Sequence, residues 1–365
     1  MKIFFDCRYV RTDHHDGISR FSSRLVEELA LLIEKTGEHT VTMLIHDPAQ
    51  LALLPDIPWK KISAPTSPRE IAVARHINTL GADIVFSPMQ TMGSRGRRYP
   101  LVLTVHDLIY YRYPKPPTSF SWPVRLLWRL YHLSWWPQRM LLNGADAIVA
   151  VSQTTARLIA DHHLTRKPVF VVPNAADAPT ATVTRTIAGR TKSLLFMGSF
   201  MPYKNVETLV RALAFLPAYE LHLLSRIADA DRARLQALAP AANIVFHNGT
   251  TDAEYHCALL TATALVCASL DEGFGIPLVE AMAVGTPIVV SDIEIFHEIG
   301  GEAAHYVAPL DPQGFADSIL ALENDDVWMR ASAASIAQAA TFSWPVSAQK
   351  LLDVLVESAR PQAKR

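Results

Sequence analysis

Short apolar runs recur along this chain, separated by longer stretches with helical spacing. The first, Ile3-Phe4-Phe5-Asp6-Cys7, reads as a strand buried on both faces. After a polar loop, Phe21, Leu25, Val26, Leu29 and Leu32 fall along one helix face. Further runs at 41–45, 84–86, 101–105, 147–151 and 169–172 are mostly divided by helix-length segments. Strands alternating with helices predict an α/β fold with a parallel sheet covered by helices. After Pro173-Asn174 comes a small-residue stretch in which Pro179 stops regular structure. The strand series then restarts at 193–198 and continues at 221–224, 244–246, 264–267 and 288–290. The expected organisation is a Rossmann-like domain over 1–175, a linker over 176–192 and a second Rossmann-like domain over 193–342. A segment over 343–365 follows, with Leu351, Leu352 and Leu355 at helical spacing. Open α/β sheets bind ligands beyond the carboxyl ends of their strands, so the site is expected in a central cleft that the two domains face.

A length of 365 residues agrees with about two domains. With 50% hydrophobic and 19% charged residues, the chain has the make-up of a soluble globular protein. Lys plus Arg number 34 against 35 Asp plus Glu, which gives no basic field for a nucleic-acid backbone, and none is expected as a partner. Cys7, Cys257 and Cys267 are scattered and form no CxxC pair, which fits a reducing cytoplasm. The N-terminus reaches Asp6 after three apolar residues, too few for a signal peptide. No charge-free apolar run approaches the roughly 18 residues of a spanning helix.

The stretch Ser269-Leu-Asp-Glu272-Gly273-Phe274-Gly275-Ile276-Pro277-Leu-Val-Glu280-Ala-Met282 joins a strand end to a helix start. Gly273 and Gly275 remove side chains where backbone N–H groups must approach a ligand, and Pro277 suits a first helical turn. The helix N-terminus then offers unpaired N–H groups and a partial positive charge to a diphosphate or a sugar hydroxyl. Glu272 sits in the loop where a sugar ring would lie. Glu280 falls about one turn into the helix, where its carboxylate can accept both hydroxyls of a ribose. Taken singly, each acid reads better as an ordinary solvated carboxylate; with the Gly-Phe-Gly-Ile-Pro turn between them, the ligand-binding reading prevails. A glycoside-hydrolase pair fits less well, since such carboxylates flank one bond at roughly 5–10 Å.

This Glu-x7-Glu stretch resembles the hallmark of glycosyltransferase family four, the group 1 transferases of GT-B fold, bacterial mannosyltransferases among them. The resemblance covers nearly the whole chain. It extends to Asp16-Gly17-Ile-Ser-Arg-Phe21, Thr104-Val-His106-Asp107-Leu108, Val151-Ser152, Val172-Pro-Asn174, Gly198-Ser199-Phe-Met-Pro-Tyr-Lys204-Asn205 and Gly285-Thr-Pro287. It implies Glu280 on the donor ribose, and Glu272 with the turn Gly273, Phe274, Gly275 and Ile276 on the transferred sugar. Lys204, opening a helix at Asn205 to Leu213, is implied on the diphosphate, with Gly198, Ser199 and Asn205 around it. His106 is implied beside the sugar as a neutral imidazole donating to a hydroxyl, and Gly17 on the opposite wall. His106, Glu272 and Lys204 are the expected catalytic set. Many members carry an Arg directly after the glycine that is Gly198 here. This chain has Ser199, and Arg226 is the candidate to supply that charge. The implied reaction retains anomeric configuration and needs no metal or cofactor; GDP-mannose is the favoured donor. The final segment resembles the family's terminal helix, expected to cross back to the first domain.

On the acceptor side, the segment 110–139 mixes basic residues with Trp122, Trp128, Trp135 and Trp136. Such a segment can lie on an anionic membrane surface and bring a glycan or lipid-linked acceptor to the site; a helix packed on the sheet is the alternative. The expected location is cytoplasmic, peripheral to the inner face of the membrane. Competing readings are a phosphorylase or sugar-phosphate transferase of the same fold, and a non-catalytic sugar-nucleotide-binding protein. An oxidoreductase lacks its GxGxxG fingerprint here.

Overall fold

The computed structural model describes residues 1–13, 16–116, 121–177 and 187–360. They form two compact units, one of Met1–Asn174 with Trp344–Arg365, the other of Ala175–Ser343. In the first unit, β1 (Lys2–Asp6), β2 (Thr40–Ile45), β3 (Trp59–Lys61), β4 (Ile84–Ser87), β5 (Leu101–Val105), β6 (Ala147–Ala150) and β7 (Val169–Val171) form one sheet in the order β3-β2-β1-β4-β5-β6-β7. Every pairing in it is parallel. Its helices are α1 (Gly17–Thr36), α2 (Val73–Leu80), α3 (Ile109–Arg112), α4 (Trp122–His132), α5 (Trp136–Asn143) and α6 (Gln153–Asp161).

The second unit holds β8 (Ser193–Phe196), β9 (Glu220–Leu223), β10 (Ile244–Phe246), β11 (Ala264–Cys267), β12 (Ile288–Ser291) and β13 (Ala304–Val307), ordered β10-β9-β8-β11-β12-β13 and again all parallel. It carries α7 (Val206–Ala212), α8 (Asp229–Leu238), α9 (Asp252–Thr261), α10 (Ile276–Ala283), α11 (Glu294–Gly300), α12 (Pro312–Ala321) and α13 (Asp325–Ala339). Trp328 of α13 is fully buried and donates its indole N–H to the Thr263 carbonyl at 2.9 Å, which satisfies its one polar atom in the core. The chain then returns to the first unit as α14 (Trp344–Ala359), which packs along α1. Phe21 and Trp344 meet with ring centroids 6.2 Å apart, and Ser347 Oγ donates to the Pro173 carbonyl at 2.8 Å.

Expected strands and observed ones differ mainly at the sheet margins. β3 (Trp-Lys-Lys) is exposed along its length and β13 (Ala-His-Tyr-Val) only partly covered, so neither needs the apolar run that marks a central strand. Most of the expected 176–192 linker, residues 178–186, lies outside the described residues, as do 117–120 of the tryptophan-rich segment and 361–365 of the tail. The later part of that linker is tied to the second unit, where Arg190 donates to the Leu322 carbonyl at 3.1 Å and pairs with Asp325 at 2.9 Å.

Each sheet reverses its winding direction between two central strands, β1 and β4 in the first, β8 and β11 in the second. At such a switch point the loops leaving neighbouring carboxyl ends diverge and open a crevice. The loop after β8 carries Gly198 to Lys204, and the loop after β11 carries Ser269 to Gly275.

Candidate active site

The two loops of the second unit are stitched together before any ligand arrives. Leu270 N–H donates to the Tyr203 carbonyl at 2.7 Å, and Lys204 Nζ forms a direct ion pair with Glu272 Oε1. Their side chains are only 17% and 10% exposed. Ser269, fully buried, donates its hydroxyl to the same Oε1 at 2.8 Å, while Cys267 Sγ lies 3.2 Å from Ser269 Oγ. With the serine proton spent on the carboxylate, the thiol is the donor of that last pair, and burial raises the Cys267 pKa and keeps it a thiol. Oε1 thus takes both protein donors, and among the described residues Oε2 has none. Burial, the largest single influence, pushes Lys204 toward neutrality, but the charge and hydrogen bond of Glu272 together with Tyr203 and Cys267 outweigh it and hold the ammonium well above its ordinary range.

Gly198 stands beside this pair. A Cβ there would meet the Phe196 ring at 3.2 Å and the Lys204 stem at 3.7 Å, so the glycine makes room for the lysine. Asn205 has a different part from that expected. The helix begins at Val206, and Asn205 occupies the left-handed region at φ 50° just ahead of it. Its Nδ2 donates to the Ala268 and Pro309 carbonyls at 3.0 and 2.7 Å, and its Oδ1 accepts from Thr208 at 3.0 Å. A side chain so committed holds three loops in register rather than reaching a ligand. Ser199 is exposed. Arg226, also exposed, follows β9 directly after Ser225, whose hydroxyl accepts from Gly198 N–H at 3.0 Å. Its stem packs 3.1 Å from the Cβ position of Gly249.

Gly275 caps α10 at φ 101°, which frees the loop to turn sharply into the helix, and Pro277 falls in the first turn. With a glycine as the cap, no side-chain cap bond closes that end among the described residues. Gly273 is buried in the same turn. Phe274 packs inward, edge to face against Phe342 at 5.6 Å, leaving the backbone as its contribution. Glu280, half-buried, is the fifth residue of α10.

In the first unit, His106 follows β5. Its Nε2 lies 2.7 Å from the Pro88 carbonyl, and its ring meets Phe21 edge-on at 5.1 Å. A carbonyl only accepts, so Nε2 carries the proton and Nδ1 is the acceptor of the neutral ring. Burial lowers its pKa to about 4, against the smaller upward pulls of the Pro88 bond and Asp16. The expected donation to a sugar hydroxyl is therefore corrected: the neutral ring's one N–H is held by Pro88, and toward a hydroxyl it can act only as an acceptor. The backbone carbonyl of His106 accepts from Thr155 Oγ1 at 3.4 Å. Asp107 caps the next turn through Ile109 N–H at 3.1 Å. Gly17 opens α1 and is exposed; Asp16 caps that helix through Ser19 N–H at 2.9 Å and pairs with Arg11. Two contributors were not assigned from sequence: Ser269, signalled only by standing three residues before Glu272, and the Pro88 carbonyl, which has no side-chain signature.

A family model described as Glycosyltransferase Family 4 matches residues 8–178, and one described as Glycosyl transferases group 1 matches residues 182–341. The chain is a group 1 glycosyltransferase of family 4. Over 329 residues it is 26% identical to a phosphatidyl-myo-inositol mannosyltransferase of Mycobacterium leprae, covering 80% of this chain and 87% of that one. It is 28% identical over 228 residues to an O-antigen chain mannosyltransferase of Salmonella typhimurium, covering 60% of each. Among solved structures, sucrose-phosphate synthase of Thermosynechococcus elongatus superposes with a TM-score of 0.73 at 18% identity, over 98% of both chains. The architecture is therefore GT-B, two Rossmann-like parallel-sheet domains. This transferase places Lys204, Glu272 and the α10 turn at the switch point of its second sheet.

Proposed function

We propose that this glycosyltransferase moves a hexose, with mannose favoured, from a nucleoside-diphosphate sugar to a glycan or lipid-linked acceptor, with retention of anomeric configuration and no metal. The observation that carries the donor reading is the shielded Lys204–Glu272 pair ahead of the uncapped α10. Glu280 takes the ribose diol, Glu272 Oε2 accepts from a sugar hydroxyl, and the N–H groups at Gly275 and Ile276 donate to the sugar or diphosphate. Lys204, with Arg226 as a second cation, stabilises the charge that grows on the diphosphate as the glycosidic C–O bond breaks. The acceptor hydroxyl attacks the face the diphosphate leaves, and its proton passes to the departing phosphate oxygen. His106 contributes position through its Nδ1 acceptor.

GDP-mannose is favoured because the relatives matched over most of this chain or more than half of it are named mannosyltransferases. The lipid named in one of them also supports an acceptor at a membrane. Within this chain, α4 has no buried residue and exposes Trp122, Leu127 and Leu130 at 76, 66 and 55%, beside Arg125 and Arg129. An apolar helix face flanked by arginines suits peripheral binding to an anionic bilayer. No described helix is long and apolar enough to cross one.

The test is turnover of GDP-, UDP- and dTDP-sugars with and without EDTA, beside Glu272→Ala and Glu280→Ala, with the product anomer read by NMR. Turnover of GDP-mannose that survives EDTA, keeps the α configuration and is lost in both variants is expected. Inversion, or full dependence on EDTA-removable metal, would overturn the mechanism. A requirement for inorganic phosphate would favour the phosphorylase reading.

A further inference from the structure

Between α5 and the turn after α6 lies a cavity of about 690 Å³, lined by Arg139, Asn143, His163, Thr165 and Arg166. That size is in the range of ligand pockets, roughly 300–1,000 Å³. The turn that ends α6 shapes it. His163 takes the left-handed region at φ 49°, and Leu164 N–H reaches back to the Ile159 carbonyl at 3.0 Å, which turns the carbonyls of His162 and His163 outward. Arg139 of α5 accepts that geometry, donating Nη2 to His162 at 2.8 Å and Nε to His163 at 3.2 Å. Asn143 Oδ1 in turn fixes the next turn, accepting from Arg166 N–H at 3.0 Å and from Thr165 Oγ1 at 3.4 Å. The bonded Arg139 is thereby held in place, while two of its five N–H groups are used. Neither Arg139 nor Arg166 pairs with a carboxylate among the described residues, although Asp161 is close in sequence. Two guanidinium groups lining one cavity without an acid are the chemistry of a phosphate site, while the Thr165 hydroxyl is committed to Asn143 Oδ1 and accepts from Lys167 N–H at 3.0 Å.

On α5 the residues Trp136, Arg139, Met140 and Asn143 follow the spacing of one helix face, with Trp136 and Met140 65% and 58% exposed. The cavity therefore adjoins apolar surface of its own helix. We propose that it binds the phosphate of an anionic lipid headgroup, with Trp136 and Met140 set in the adjoining hydrocarbon boundary. The proposal rests on the membrane reading above and adds to it a defined headgroup site.

The experiment is sedimentation of the full chain with vesicles of phosphatidylcholine alone, or of phosphatidylcholine with phosphatidylglycerol or phosphatidic acid. Arg166→Gln is the principal variant, since that side chain makes no contact that its loss would unfold; Arg139→Gln/Arg166→Gln is the stronger one, with folding checked by circular dichroism. Each arginine near a charged surface is worth roughly fivefold in binding. Binding to the anionic vesicles is expected to fall about fivefold and about 25-fold in the two variants, with none of that loss on neutral vesicles. Arg95→Gln/Arg98→Gln removes equal charge elsewhere and is expected to change little. An equal fall there would overturn the site in favour of a diffuse charge effect. Leu127→Ser/Leu130→Ser tests the membrane reading separately: it is expected to weaken binding to every vesicle while the preference for anionic ones persists. Failure of that variant with loss in the arginine variants would sink the apolar anchor and keep the headgroup site. Calorimetric binding of glycerol phosphate in the low millimolar range, with vesicle preference unaffected by the arginine variants, would overturn the lipid assignment in favour of a soluble phosphate.

Discussion

Lys204 can serve the reaction or merely neutralise Glu272, and a double-mutant cycle separates the two. The pair is in contact and mostly shielded, with 17% and 10% of the side chains exposed. Two unit charges at 4 Å attract by about 4 kcal/mol at an effective dielectric near 20, and breaking a buried pair commonly costs about 3–5 kcal/mol. Ser269 remains to donate to the abandoned carboxylate, so Lys204→Met is expected to lose about 3 kcal/mol, the lower end of that range. Glu272→Gln leaves the ammonium without its counter-charge and costs a similar amount. Removing both charges leaves nothing stranded, and Lys204→Met/Glu272→Gln is expected within about 1 kcal/mol of the wild type. Activity follows a different pattern. A cation facing a leaving diphosphate is worth about 10²–10³ in rate, so the double variant should be slower than Glu272→Gln alone by that factor, although it is the more stable protein. Urea unfolding supplies the stabilities, and donor turnover at saturating nucleotide sugar supplies the rates. Equal turnover in Glu272→Gln and the double variant would refute the catalytic role of Lys204 and leave it a structural counter-ion.

Three further outcomes follow from the same geometry. His106 has its folded pKa lowered to about 4 from an ordinary 6.5, so between those values the unfolded chain binds the extra proton; stability falls as pH drops from about 6.5 to 4, by up to about 3 kcal/mol. His106→Gln should flatten that slope in urea midpoints measured at pH 7 and pH 5, and an unchanged slope would show that other groups set it. Asn205→Ala strips donors from two carbonyls, Ala268 and Pro309, and is expected to cost about 2–4 kcal/mol in thermal unfolding, whereas Ser199→Ala, at an exposed position, should stay within about 0.5 kcal/mol. Gly275→Ala forces a side chain into φ 101° against the Phe296 ring at 3.4 Å, and should cost about 1–2 kcal/mol and raise KM for the donor; an unaltered KM would mean the turn does not touch it.

What could be read from the sequence is what repeats or what must be buried. The central strands β1, β4, β5, β6, β8, β11 and β12 are covered on both faces, so their apolar runs had no other use and their positions agree within a residue or two. β3 and β13 sit at sheet edges, where part-exposed residues such as Lys60 and His305 are tolerated and no run appears. The site divides the same way. The turn itself was legible, with Gly275 at its left-handed corner and Pro277 in the first helical turn, because a strand-to-helix turn imposes both spacing and residue type; the roles of Glu272 and Glu280 stay with the proposal above. Asn205 was legible as a position but not as a role, because the partners that occupy it, Ala268 and Pro309, are backbone carbonyls far along the chain. The proton on His106 was unreadable for the same reason, being set by the carbonyl of Pro88 on the neighbouring strand's loop.

The arrangement around Glu272 explains why charge is buried here at all. A shielded ion pair adds little stability over well-packed apolar residues of the same volume, so its retention calls for another advantage. Ser269 and Lys204 converge from two loops on a single oxygen of the carboxylate, Oε1, and Cys267 at the strand end holds Ser269 in turn. That leaves Oε2 without a protein donor among the described residues, and it leaves Lys204 charged and mostly desolvated. Both groups would otherwise spend part of each encounter's binding energy on losing water and rotamers. In the reaction proposed above, groups oriented in advance would apply that energy to the transition state instead. On this argument Ser269→Ala, which removes the second restraint on Oε1 without touching any charge, should lower kcat more than it raises KM.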